Sequence, residues 1–74
     1  MTEQFEAASL VYEVLLQMDD RNAKWWMGLA MSRDAVGDFE EAESAYAMAS
    51  HFGARQLLLN RYGEARLSAL RGSP

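Results

Sequence analysis

The sequence predicts an all-α fold, about four short helices packed as antiparallel pairs in one small domain, within a chain of 74 residues. Three observations carry this expectation. Apolar residues recur at three- and four-residue steps along most of the chain, the spacing of one helix face. Proline occurs only at position 74, whereas glycines stand at 37 and 53, where helix-to-helix turns are expected. No segment reads as a strand.

The first helix is expected from Thr2 to Met18, because Phe5, Ala8, Val11, Tyr12, Leu15 and Leu16 recur as a broad apolar face. Asp19-Asp20-Arg21-Asn22 breaks that pattern, and Asp20 or Asn22 is placed to accept hydrogen bonds from the free N–H groups of the next helix. The second helix then runs from about Ala23 to Val36, with Gly37 as a left-handed stop. Asp38 opens the third helix, and Glu41 three residues on makes an Asp version of the capping box. That helix ends near Phe52, where Gly53 supplies the stop. A fourth covers roughly Ala54 to Arg71, with Leu58, Tyr62, Ala65 and Ala69 at steps of four, three and four. Gly72-Ser73-Pro74 reads as a disordered tail or a cloning remnant.

Composition narrows the function classes. Half the residues are apolar, enough for one small core and too little for a large enzyme with a buried multi-part site. The absence of cysteine removes disulfides, thiolate nucleophiles and Cys-based zinc or iron–sulfur sites. Ala45 to Ala49 and the glycine-interrupted Trp25 to Met31 are the longest apolar runs, too short to cross a bilayer or to form a signal-peptide core. The chain therefore reads as soluble, cytoplasmic or periplasmic, and as either a whole small protein or a piece of a longer one. Net charge is −4, unevenly spread: residues 1–51 hold ten acidic against three basic groups, and residues 52–74 hold four arginines against Glu64, net −7 and +3. An acidic body repels a phosphate backbone. Arg55, Arg61, Arg66 and Arg71 do not share one helix face and read as solvated charges, so no nucleic-acid partner is expected.

Catalysis finds no foothold. Adjacent carboxylates on a helix point about 100° apart, so Asp19-Asp20 and Glu40-Glu41 read as caps and surface charge rather than an acid–base pair. His51 lies at the C-terminal end of the third helix, a position that suits a cation, with no nucleophile or orienting carboxylate at a recognisable spacing. No H-E-x-x-H, EF-hand loop or phosphate-binding glycine loop occurs. The expectation is a non-catalytic chain with no cofactor and no metal.

Compared with itself at a shift of 34, the sequence matches Phe5 with Phe39, Glu6 with Glu40, Ala8 with Ala42 and Tyr12 with Tyr46. Three of these fall on the apolar face, where a packing repeat puts them. A small residue lets two helices approach, and the aromatic four positions later fills the space between pairs. The segment Trp26-x2-Leu29-Ala30, then Gly37-Asp38-Phe39, Ala42, Tyr46 and Ala49, resembles the tetratricopeptide repeat pattern W-x2-L-G-x2-Y, G-[DN]-[YF], A-x3-[YF]-x2-A. Two positions depart: Arg33 replaces the late tyrosine of the first helix, and Ala54 replaces the closing proline. The first departure is expected to leave the helix pair less well filled at one end; the second leaves the turn before the last helix open.

The resemblance implies a short α-solenoid: residues 3–18 as the second helix of a partial repeat, 23–52 as a complete repeat, 54–71 as a capping or next-repeat helix, and 72–74 as a tail. With a one-residue deletion, Leu59-x2-Tyr62-Gly63 lies over Trp26-x2-Leu29-Ala30. Residues 23–30 are also similar to C-terminal repeats of bacterial pilus-assembly and secretion proteins, which implies a role in an envelope assembly.

Members of the family receive peptides or protein segments in a groove lined by the first helix of each pair, so the resemblance implies a protein or peptide partner. Lys24, Met27, Met31, Asp34 and Ala35 share the face of the second helix turned away from Trp26, Leu29, Ala30 and Arg33. Met27 and Met31 read either as adaptable contacts for a partner or as core. They also stand where some relatives need Lys and Asn to grip a C-terminal carboxylate, which argues against chaperone-tail binding. Trp25 reads as an exposed aromatic anchor or as an edge residue covering the first helix. The first helix lacks its usual partner, so Phe5, Val11, Tyr12 and Leu15 are expected to leave apolar surface at the N-terminal end. A second copy in a homodimer, or further repeats upstream, would cover it, and the opposite charges of the two ends favour antiparallel or head-to-tail contact between copies.

Overall fold

The computed structural model describes residues 2–53 and 57–72. These form four helices and no strand: α1 (Thr2–Met18), α2 (Ala23–Ala35), α3 (Phe39–Phe52) and α4 (Leu57–Leu70). Each helix packs on the next in chain order, and α2 also touches α4. Contacts run antiparallel. Tyr12 lies on Gly28 while Glu6 and Ser9 line one surface cavity with Val36; Asp34 meets Tyr46 while Ala23 meets Gly53; Ser50 meets Glu64 while Glu43 meets Arg71. The first three helices match their expected spans to within one residue. Residues 54–56, expected to begin the fourth helix, lie outside the described residues, as do Ser73 and Pro74.

The turns show how the local sequence sets these boundaries. Asn22 caps α2, its side-chain oxygen accepting from the Trp25 N–H at 3.2 Å, and Asp19 instead accepts from the Arg21 N–H at 3.1 Å within the turn. At the other end of α2, Gly37 has φ +85°, the left-handed value that glycine reaches without a Cβ clash. Asp38 N–H donates to the Arg33 carbonyl at 2.9 Å and Gly37 N–H to the Asp34 carbonyl at 3.1 Å, the two closing bonds of a Schellman stop. Gly53 ends α3 differently, with φ −99°. There the small residue is needed for space: a Cβ would stand 2.7 Å from the Ala49 carbonyl oxygen and 3.1 Å from Ala23 Cβ. Gly72, expected in the tail, closes α4 with φ +71°.

Two expectations fail at the α2–α3 junction, for one reason. Asp38 makes no side-chain capping bond, because its carboxylate faces Arg33 at 3.8 Å and Glu41, the other half of the expected box, lies 3.0 Å from Arg33 Nε. Arg33 also donates to Glu13 of α1. The gap expected where Arg33 replaces an aromatic is therefore filled by one guanidinium and three carboxylates drawn from α1, the turn and α3. Burial works against this charge, but the bond to Glu13 and the field of Glu41, Glu13 and Asp38 outweigh it and hold the guanidinium firmly protonated.

Alanine makes up half of the buried apolar core among the described residues. Ala23, Ala30, Ala42, Ala45 and Ala49 are buried at or near the α2–α3 contact, which lets the two helices approach closely and costs no side-chain entropy. Among the described residues Tyr46 is the largest fully buried side chain, and Leu16, Met27, Leu29 and Leu67 complete the cluster around it. Because α2 touches α1, α3 and α4, its buried residues Ala23, Met27, Leu29, Ala30 and Ser32 do not keep to one stripe. Ser32 satisfies its hydroxyl on the Gly28 carbonyl at 2.9 Å, and buried Ser9 on the Glu6 carbonyl at 2.7 Å.

Candidate functional site

A shallow groove of about 270 Å³ gathers side chains from all four helices: Phe5 of α1, Met31, Asp34 and Ala35 of α2, Tyr46 of α3 and Tyr62 of α4. Its apolar walls come from Phe5, Met31 and Tyr62, each close to half exposed. Its floor is polar. The Tyr46 hydroxyl donates to Asp34 Oδ2 at 3.1 Å, and Arg66 grips the same carboxylate with Nε and Nη2, both at 2.5 Å. This two-pronged bond holds Asp34 below the usual carboxylate range despite its burial, while burial, with Tyr62 and Asp34 adding to it, pushes the Tyr46 phenol far up. The Tyr62 ring leans on Tyr46, centroids 6.0 Å apart and tilted by 58°, within the range of a favourable aromatic pair.

The residues expected on one binding face of α2 are divided by this arrangement. Met31 is 47% exposed and lines the groove. Met27 is only 4% exposed, because α4 crosses over it so closely that a Cβ on Gly63 would stand 3.1 Å from the Met27 methyl; it is core and unavailable to a partner. Asp34 reaches the groove with its carboxylate already engaged. Lys24 is exposed and lies outside the groove residues. Trp25 is half-buried against the core cluster, which fits the edge role rather than an exposed anchor. Trp26, expected in the core, is also half-buried and donates Nε1–H to the Asp20 carbonyl at 2.7 Å. Sequence reasoning missed Tyr62 and Arg66 as groove residues. Arg66, read as a solvated charge, is drawn in by Asp34, a pairing 32 residues apart that no local spacing signals.

The apolar face expected on α1 splits in two. Leu16, Ser9 and half-buried Tyr12 turn toward α2, with the Tyr12 ring packed where a Cβ on Gly28 would fall. On the opposite side Leu10, Val11, Val14 and Met18 are 57 to 76% exposed, and a second shallow groove of about 300 Å³ is lined by Leu10, Val11, Val14 and Leu15 alone. Of the four residues expected in self-association, Val11 and Leu15 belong to this strip, Phe5 belongs to the first groove, and Tyr12 lies at the α1–α2 contact.

The internal repeat also acquires a register. Gly63 in α4 lies beside Tyr46, whose carbonyl oxygen and ring Cδ1 are 3.8 and 4.0 Å from where a Cβ would stand, as Gly28 in α2 lies under the ring of Tyr12. The tyrosines are 34 residues apart and the glycines 35, so Gly63 takes the place of Gly28, and the one-residue deletion that laid it over Ala30 does not describe the packing. Among the described residues no cluster of three or more His, Cys, Asp or Glu side chains is disposed to hold a metal ion, and no helix is long and apolar enough to cross a membrane. Comparison with family models, curated proteins and solved structures finds no significant match to this chain.

Proposed function

We propose that this chain is a non-catalytic interaction module of the tetratricopeptide-repeat type, which receives a peptide or protein segment in the groove between Phe5, Met31 and Tyr62. The carrying observation is the groove itself: exposed apolar and aromatic walls around a polar floor whose hydrogen bonds are already satisfied. A surface of this kind favours an apolar side chain of a partner segment, with Tyr62 and Met31 as aromatic and adaptable contacts. The resemblance of residues 23–52 to the repeat pattern and the Tyr–Gly contacts repeated along the stack support the helical-repeat reading. The likeness of residues 23–30 to repeats of pilus-assembly and secretion proteins extends it to a bacterial envelope assembly.

A displayed peptide library panned on the intact chain tests this. Selected peptides are expected to lose about tenfold or more in affinity for Met31→Asp and Tyr62→Ala, a loss of at least about 1.4 kcal/mol. Failure to recover any binder, or binders indifferent to both changes, sinks the groove reading. A second reading, self-association, is favoured by one separate observation: the continuous exposed strip of Leu10, Val11, Val14 and Met18 on α1.

A further inference from the structure

We infer that the exposed strip of α1 is covered by α4 of a second copy of the chain, packed head to tail as α2 packs on α3 within one copy. The inference rests on the self-association reading and assigns its geometry. Within the chain, α3 buries Ala42, Ala45 and Ala49 together with Tyr46, and the matching positions of α1 are Ala8, Val11, Leu15 and Tyr12. Tyr12 is occupied by α2. Val11, where α3 has buried Ala45, is 57% exposed, so α1 lacks the helix that α2 provides for α3.

The other end of the chain carries the missing helix. In the register in which Gly63 matches Gly28, the residues of α4 that correspond to Ala30 and Asp34 are Ala65 and Ala69, and both are exposed. They form a small-residue surface beside Tyr62, on the side of α4 opposite buried Gly63 and Leu67. Large apolar side chains on α1 thus face small ones on α4, the relation by which ridges enter grooves between helices.

Charge selects the same pairing. Residues 2–20 contain five acidic and no basic side chains, whereas residues 57–71 contain three arginines against one glutamate. In the antiparallel arrangement of α2 on α3, Ala23 at the start of one helix meets Gly53 at the end of the other. Transferred to α4 on α1, this brings exposed Arg61, at the start of α4, within about one helical turn of exposed Asp19 and Asp20. Contact between two α1 strips would instead oppose two acidic segments, and contact between two α4 surfaces two basic ones. Because the surfaces differ, one copy leaves an α1 strip open and the other an α4 surface open, and association extends beyond a dimer.

Absolute mass by light scattering on two single variants and their mixture tests the inference. Val11→Glu blocks the α1 strip and Ala65→Glu blocks the α4 surface; both sites are exposed, and an unchanged helical melting curve checks that each variant folds. Wild type is expected to exceed twice its 8.3 kDa mass as concentration rises, and to fall back in high salt. Each variant alone is expected to be monomeric, and the equimolar mixture to form a one-to-one dimer that grows no further. If Ala65→Glu associates as wild type does, the contact is symmetric through α1; self-association then survives and the head-to-tail geometry is overturned. Wild type that stays monomeric to about 1 mM, the limit of a contact worth about 4 kcal/mol, overturns both.

Discussion

Tyr12 and Tyr46 hold matching places in the two halves of the chain, each four residues after a small alanine and each against a glycine of the following helix. Their fates differ. Tyr46 is wholly buried, its hydroxyl on Asp34 and its ring on Tyr62, while Tyr12 is half-buried beside an open helix face. The same residue at matching places in the sequence is therefore a keystone in one place and an edge in the other, decided by whether helices lie on both sides. Position on the helix sets which way a side chain faces; the number of neighbouring helices sets how much that side chain stabilises.

The sharpest way to break the comparison is to remove both tyrosines in turn. Tyr46→Ala deletes the largest buried side chain from an alanine-rich core and leaves Asp34 without one of its donors, so a loss of about 3–5 kcal/mol is expected. In a domain this small that removes most of the folded state at 25 °C. Tyr12→Ala is expected to cost about 1–2 kcal/mol, because less area leaves water on folding. Chemical denaturation of each variant compares them; equal losses would mean that α1 is as tightly held as α3.

The glycines sharpen the contrast and are expected to move in opposite directions. A Cβ on Gly28 collides with the Tyr12 ring, so Gly28→Ala forces the ring aside at about 1–3 kcal/mol, more than offsetting the roughly 1 kcal/mol that alanine contributes inside a helix. At Gly63 the nearest atom is the flexible methyl end of Met27 at 3.1 Å. Gly63→Ala is therefore expected to be neutral or stabilising by up to about 1 kcal/mol. Thermal melts of the pair settle the sign, and a destabilised Gly63→Ala would show that α4 sits on Met27 without room to adjust.

A smaller effect concerns acid. Asp34 titrates below its usual range, chiefly through Arg66, so its contribution is full above the ordinary carboxylate value, about 4, and is lost as pH falls through the lower folded value. Wild type is expected to melt several degrees above Asp34→Asn at pH 7, with the gap closing below about pH 4. A gap that persists at pH 2 would show that the side chain acts by shape rather than charge.

How much of this was legible in the sequence depends on the range of the interaction. Helix spans and the left-handed Gly37 follow from neighbours within a few residues and are legible in the sequence, as is a cap at Asp20 or Asn22, of which the structure uses Asn22. The capping box at Asp38 fails because Arg33 takes both of its carboxylates together with Glu13, twenty residues away in the chain. Met27 and Met31 lie one helical turn apart and were indistinguishable by period; only the path of α4 makes one core and the other surface. The Asp34–Arg66 bond at the groove floor joins α2 to α4 and left no local trace. The pairing of Tyr62 with Tyr46 was likewise hidden, since the apolar period of α4 shows a face without naming what covers it.

Both tryptophans of the chain sit side by side in the first turns of α2, and the indole of Trp26 is tied to the backbone of the turn that follows α1. Every intrinsic tryptophan signal therefore originates at one joint of the molecule. Emission colour and anisotropy register the parting of α1 from α2, whereas far-ultraviolet ellipticity weights all four helices. The molecule thus carries its own optical reporter for whether its outermost helix leaves before the rest, and divergence of the two traces on heating is the signature of a stack that frays from the end with the uncovered face.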